Sequence, residues 1–445
     1  MVNFIQRGAR LILALELPLL TLITFAFWYP SPTRDQWLWL LYLLIPAYAA
    51  RWLVYRRLWT WIPITPWLLI FIALLIINIA LGIAFAADGV PDAPYTRGWI
   101  MLGRPVLGMA IFTACVEHAR VRQSMQGLLT RTIWLALGLG LLALGSTQWT
   151  DKAKHLALIT DVLPEIRNFP GAENGFNPNE IAGAVSWLLP IVTGLALYRW
   201  RDKRVRRDEV TIAWLLLGVA LFLGQSRGAL LGTLLALAIL CFFLLQKYWR
   251  YVGLAGVFGI GILQIISVAV APLPDSFEGQ SDTATSNLTV QADESIGPRL
   301  RIWQSALQMI WDYPLTGVGF TFFRYEPMRT LYPVEGVERG ILVHAHNEWL
   351  QMGTDFGVPG AALYLVWGVV IFQMVRAIWK RGNPEARVVA LSVGCGLLAH
   401  GVFGLLDAIP LADRFAFLFW WTLGLLGAQH VTVSTPALHP TPPQT

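Results

Sequence analysis

Charge is scarce in this chain. Only 13% of its 445 residues are Asp, Glu, Lys or Arg, against 56% hydrophobic. A soluble protein of this length cannot hide so much apolar surface, so the composition excludes an ordinary soluble enzyme and points to a membrane as solvent. Cysteine is scarcer still. Cys115, Cys241 and Cys395 each fall inside an apolar run, which reads as packing and excludes a disulfide framework. No HExxH spacing is present, no internal repeat suggests a duplicated transporter, and no small-residue cleavage site follows the first apolar run, which therefore reads as an uncleaved helix. The net charge of +6 does not indicate nucleic acid, because the basic residues sit in short gaps between apolar runs.

What is present is a series of apolar stretches near the ~20 residues that a helix needs to cross a bilayer. Twelve runs qualify, at about 11–29, 37–50, 66–87, 99–116, 127–145, 180–198, 210–224, 228–245, 251–271, 357–376, 388–406 and 415–429. The 21 tryptophans suit rings at bilayer interfaces. The expected fold is an all-α polytopic membrane protein with about twelve transmembrane helices. Runs seven and eight are joined only by Gln225, Ser226 and Arg227, which predicts a tight helical hairpin; one long helix over 210–245 is the alternative. With the N-terminus in the cytoplasm, the inner connections carry 18 Lys and Arg and the short outer ones carry four, in keeping with the positive-inside rule. The chain then divides into nine spans over 1–271, a large outer loop over 272–356, three spans over 357–429 and a Pro/Thr-rich cytoplasmic tail over 430–445, expected to be disordered.

The large loop opens with a low-apolar stretch around Ser281, Thr283 and Thr285. Gly297-Pro298 then opens a helical pattern, in which Arg301, Gln304, Ser305, Gln308 and Asp312 share one face and Leu300, Trp303, Leu307 and Ile310 the other. This predicts an amphipathic helix, ended by Pro314, Gly317 and Gly319.

Four groups of residues could carry chemistry. His344 and His346, in His-Ala-His-Asn-Glu-Trp-Leu, sit before the tenth span. They could take protons near neutral pH, bind a metal with help from Glu348 or Asp355, or stand idle in solvent. Arg227, between two apolar runs, either snorkels to lipid phosphate or clamps a phosphate group. Arg299 and Arg301, near the helix start, suit anion binding or a solvated face. Arg104 lies inside the fourth run near its outer end, where function and snorkelling are equally open. Asn177-Pro178-Asn179-Glu180 reads mainly as a structural turn. His400 and Asp407 could line a cavity, although one histidine on an apolar helix is more often satisfied within the core.

Three blocks resemble the O-antigen ligase and polymerase superfamily. They are Ser226-Arg227-Gly228-Ala229-Leu230-Leu231-Gly232; Arg299-Leu300-Arg301-Ile302-Trp303 running on to Asp312-Tyr313-Pro314-Leu315-Thr316-Gly317-Val318-Gly319; and His346-Asn347 followed by Gly357 and Gly360. Their order, the twelve runs and the large loop before the tenth all fit. The resemblance, over about 180–376, implies a GT-C-like helical bundle with a periplasmic catalytic loop in a bacterial inner membrane. It implies a metal-independent ligase, without cofactor, moving O-antigen from undecaprenyl pyrophosphate onto lipid A–core oligosaccharide. His346 would be the base, and Arg227 and Arg301, with Arg299 in support, would hold the pyrophosphate. His344, Asn347 and Arg104 would contact substrate or orient the base. A polymerase or a protein O-glycosyltransferase would use the same donor, and a transporter or lipid-binding scaffold would carry out no chemistry.

Overall fold

The computed structural model describes residues 2–28, 41–84, 98–149, 156–164, 166, 175–199, 207–269, 286–334 and 344–434. Several expectations lie outside them: the low-apolar stretch around Ser281, most of the basic connection near 201, and the last part of the tail. Among the described residues the chain is helical. There is no strand, only an isolated bridge between Thr147 and Phe176. Fifteen α-helices follow in order: α1 (Val2–Trp28), α2 (Leu44–Tyr55), α3 (Thr65–Ala84), α4 (Gly98–Arg122), α5 (Gln126–Ser146), α6 (Ala157–Thr160), α7 (Pro178–Arg199), α8 (Arg207–Gly224), α9 (Arg227–Leu244), α10 (Tyr248–Ala269), α11 (Ser286–Asp312), α12 (Glu326–Leu331), α13 (Glu348–Arg381), α14 (Pro384–Phe403) and α15 (Ala416–Ser434).

Each of the twelve apolar runs coincides with a helix over its described residues. Among the described residues, seven helices (α1, α5, α7, α9, α13, α14 and α15) are long and apolar enough to cross a membrane, and three shorter apolar helices lie at Leu41–Tyr55, Thr65–Leu81 and Tyr248–Leu263. The protein is thus a polytopic helical membrane protein. The join at Gln225 and Ser226 separates two helices, with Gln225 in the left-handed region at φ 48°; both helices pack on α7 more than on each other.

Three boundaries differ from expectation. The amphipathic helix starts at Ser286 and not at Gly297, and Pro298 lies inside it. A proline ring costs an interior helix one backbone bond but does not force a start. The tenth span is preceded by a further helical stretch, Glu348 to Phe356, because Gly357 breaks the helix at φ 69°, ψ −161°. Only glycine adopts that conformation without strain, and a β-carbon there would lie 2.4 Å from the Pro314 carbonyl oxygen. The last helix runs on to Ser434, into the expected tail, since Val431 and Val433 continue its apolar packing and the first proline comes only at Pro436.

The core sits around α15, which packs mainly on α4, and α14, which packs on α7 and α9. Without a hydrophobic force between helices in lipid, close approach depends on small residues. Gly232 of α9, for instance, faces the Ala399 carbonyl so closely that a β-carbon would stand 2.1 Å from it. Phe71, Trp367 and Trp420 interlock α3, α13 and α15, Trp367 meeting each of the other two rings edge to face and Phe71 tilting on Trp420. All three cysteines are free and buried, as expected. This packing fixes the α14–α15 connection, residues 404–415, at one end of the bundle.

Candidate functional site

Two short segments meet there: residues 344–347, leading into α13, and the α14–α15 connection. The first is held by its own polar groups. Asn347 caps α13, its Oδ1 accepting from the Leu350 amide at 2.9 Å while its Nδ2 donates to the Leu405 carbonyl at 2.9 Å. The Ala345 amide donates to Gln351 Oε1 at 2.9 Å, and the Trp303 indole of α11 donates to the His346 carbonyl at 3.3 Å. Glu348 donates its amide to the Gly404 carbonyl at 2.7 Å, and its carboxylate reaches His400 at 2.6 Å and the Ile409 amide at 3.3 Å. These restraints hold His346 in the left-handed region, at φ 48°, a strained conformation for a residue with a β-carbon.

The outcome is a histidine–carboxylate pair. His346 Nδ1 lies 2.9 Å from Asp407 Oδ1, and that oxygen also accepts from the Ala408 amide at 3.0 Å. Arg299 of α11 approaches the other oxygen at 3.6 Å. Burial works against the Asp407 carboxylate, but the hydrogen bond and charge of His346, with His344 and Arg299 beyond, hold its pKa down at about 2. An ionised acceptor at Nδ1 puts the imidazole proton there and leaves the Nε2 lone pair free to take another. His344 stacks obliquely on His346, ring centres 4.3 Å apart, and its Nδ1 accepts from the His346 amide at 3.2 Å. Burial, reinforced by His346, pushes its pKa down to about 4, so it is neutral at neutral pH.

More cations brace the connection. Arg324 pairs with Asp413 at 3.0 Å; its charge overcomes the opposing effect of burial and lowers the Asp413 pKa. Arg414 meets Glu180 of α7 at 3.0 Å and lies over the Phe176 ring. Arg104 is buried and donates to the Ala412 carbonyl.

The structure therefore sorts the residues expected from sequence. It brings His346, His344 and Arg299 together. It gives the Asn347 side chain to a cap and a loop carbonyl, and it ties Arg104 to the backbone of the connection. Arg301 is exposed on α11, two residues from the arginine that reaches Asp407. Arg227 is exposed at the start of α9, and its neighbour Gly228 abuts Phe403 and Leu406, beside Asp407. Glu348 and Asp355, considered above as further metal ligands, are committed elsewhere: Asp355 accepts from the Thr321 amide at 3.1 Å and from Gln351 at 2.9 Å. Among the described residues, the group able to hold a metal is His344, His346 and Asp407, whose ligand atoms lie within 4.8 Å of one another. The Asp407 oxygens are already shared with His346 and Arg299, which leaves such an ion little room and a competing charge.

Asp407 is the main residue that sequence reasoning undervalued. It stands 61 positions from His346, and no local spacing joins the two. Its placement in a short polar gap between two apolar runs was the available signal.

Residues 212–365 match the family model described as O-antigen ligase. The matched segment, about a third of the chain, is similar to that family. The match takes in Arg227, Arg299, Arg301, His344 and His346, and ends before Asp407. No curated protein matches the chain. The matched segment thus supplies one half of the histidine–carboxylate pair, and the α14–α15 connection supplies the other.

Proposed function

We propose that the protein is a glycosyltransferase of the bacterial inner membrane, with both termini cytoplasmic, that works at the periplasmic face. It moves O-antigen from undecaprenyl pyrophosphate to lipid A–core oligosaccharide without a metal. The observation that carries this reading is the His346–Asp407 pair with Arg299 on its far side, His346 and Arg299 lying inside the segment matched by the ligase family model and Asp407 beyond it.

In this reading His346 Nε2 takes the proton of an acceptor sugar hydroxyl as that oxygen attacks the anomeric carbon of the donor. The new C–O bond forms while the bond from the anomeric carbon to the pyrophosphate oxygen breaks, and the anomeric configuration inverts. The leaving polyprenyl pyrophosphate is a stable anion and demands no general acid. Asp407 holds the imidazole in the tautomer that accepts and balances the imidazolium that forms. Arg299, with Arg227 and Arg301 nearer solvent, receives the pyrophosphate charge. His344, neutral beside it, keeps a second positive charge away from the base.

The test is reconstitution of the purified protein in liposomes with lipid-linked donor and, separately, lipid A–core, free glycan or a peptide acceptor, with and without chelator. Transfer to lipid A–core that persists with chelator is expected. Product on free glycan or on peptide alone would replace the ligase reading, and loss restored by one divalent ion would turn the His344–His346–Asp407 group into a metal centre.

A further inference from the structure

A second group of charges lies at the other end of the bundle. On α4, Arg104 binds the α14–α15 connection, and Glu117 stands thirteen residues on, about 20 Å along the helix. Around Glu117, helices α1, α2 and α4 enclose a pocket of about 240 Å³. Two carboxylates face it, and both are matched by arginine. Glu16 is bound by Arg51 at 2.6 Å, both buried, and Glu117 by Arg120 at 2.8 Å. Arg10 and Arg122 also line the pocket; both are exposed and make no ion pair or hydrogen bond among the described residues. His118 and Tyr55 complete its polar wall, and Leu13, Leu17, Ala114 and Val121 form the apolar one.

Ionisable side chains gathered within a helical membrane bundle are functional by default, and basic pockets between membrane helices take lipid headgroups. We propose that this pocket binds the phosphodiester headgroup of an anionic phospholipid. With both carboxylates neutralised inside the protein, the positive charge of Arg10 and Arg122 is left for a ligand. The apolar wall opens outward at its own lining residues, Leu13, half-buried, and Val121, 44% exposed, which suits an acyl chain leaving the headgroup. A free anion would have no use for that wall. The site does not depend on the sugar-transfer reading.

The experiment is native mass spectrometry and thermal unfolding of the full chain, titrated with phosphatidylglycerol, phosphatidylcholine or inorganic phosphate. Wild type should retain phosphatidylglycerol and gain thermal stability from it over phosphatidylcholine. The double variant Arg10→Gln/Arg122→Gln should bind it roughly 30-fold more weakly, and Arg10→Lys/Arg122→Lys should keep most of the affinity. If the glutamine variant does not fold, the lipid preference of wild type and of the lysine variant decides alone. Equal retention of both lipids, unchanged binding in the glutamine variant, or equal protection by inorganic phosphate would overturn the proposal.

Discussion

Among the described residues, two histidines face carboxylates at hydrogen-bond distance, and their second nitrogens differ. His400 on α14 reaches Glu348 at 2.6 Å through Nε2, while its Nδ1 meets the Gly183 carbonyl at 2.9 Å. Trp187 stacks on its ring at 3.4 Å between centres, and its side chain is 4% exposed. His346 reaches Asp407 at 2.9 Å through Nδ1, its side chain is 21% exposed, and its other nitrogen has no partner among the described residues. A histidine with both nitrogens committed in a core is a brace. One with a single nitrogen committed, at a partly exposed edge, has a lone pair to offer, and the proposed function uses it as the base. What separates them is the state of the second nitrogen, not the presence of an acid.

The largest effect that would sharpen this comparison is on stability. His400→Ala removes one of three groups that the Glu348 carboxylate meets, the Tyr364 hydroxyl and the Ile409 amide remaining, and should cost about 1–3 kcal/mol in unfolding free energy. The protein that remains folded should still transfer glycan; a stable variant would mean that His400 is no brace. Asp407→Asn should keep the fold but lower kcat roughly 100-fold, because an amide at that place favours the proton on Nε2 and disables the base. Near-normal kcat would separate Asp407 from the chemistry. Arg299→Ala should raise KM for the lipid-linked donor about tenfold, with lysine restoring part, while Arg301→Ala should change it less than about threefold. The reverse order would return the exposed arginine to the leading role.

The smallest effect concerns acid. The His344 pKa is lower in the folded protein than the ordinary histidine value, so the unfolded chain binds more protons between about 6.5 and 4. Stability from this group is present above that window and falls as pH drops through it. His344→Gln should therefore narrow the gap between melting temperatures at pH 7 and pH 5; an unchanged gap would assign the acid sensitivity elsewhere.

Sequence carried most of the fold because lipid leaves the backbone few choices. Twelve apolar runs became helices, and the break at Gln225 and Ser226 was visible in three residues. What escaped were features set by contacts between distant segments. The helical turns from Glu348 to Phe356 depend on Gly357 fitting against Pro314 and Gly317, which no hydropathy pattern encodes. In the site, His346 and Arg299 were legible from residue type and loop placement. Asp407 was not, because its value comes from the packing of α14 that brings it to His346. The two exposed arginines, Arg227 and Arg301, looked stronger in sequence than Arg299, since spacing along a chain says nothing of which face of a helix meets the carboxylate.

The most direct measurement is single-turnover transfer of labelled glycan by His346→Ala in proteoliposomes, beside wild type and with thermal unfolding of both. The account predicts a rate at least about 100-fold lower with an unchanged melting temperature. A rate within threefold of wild type would contradict it.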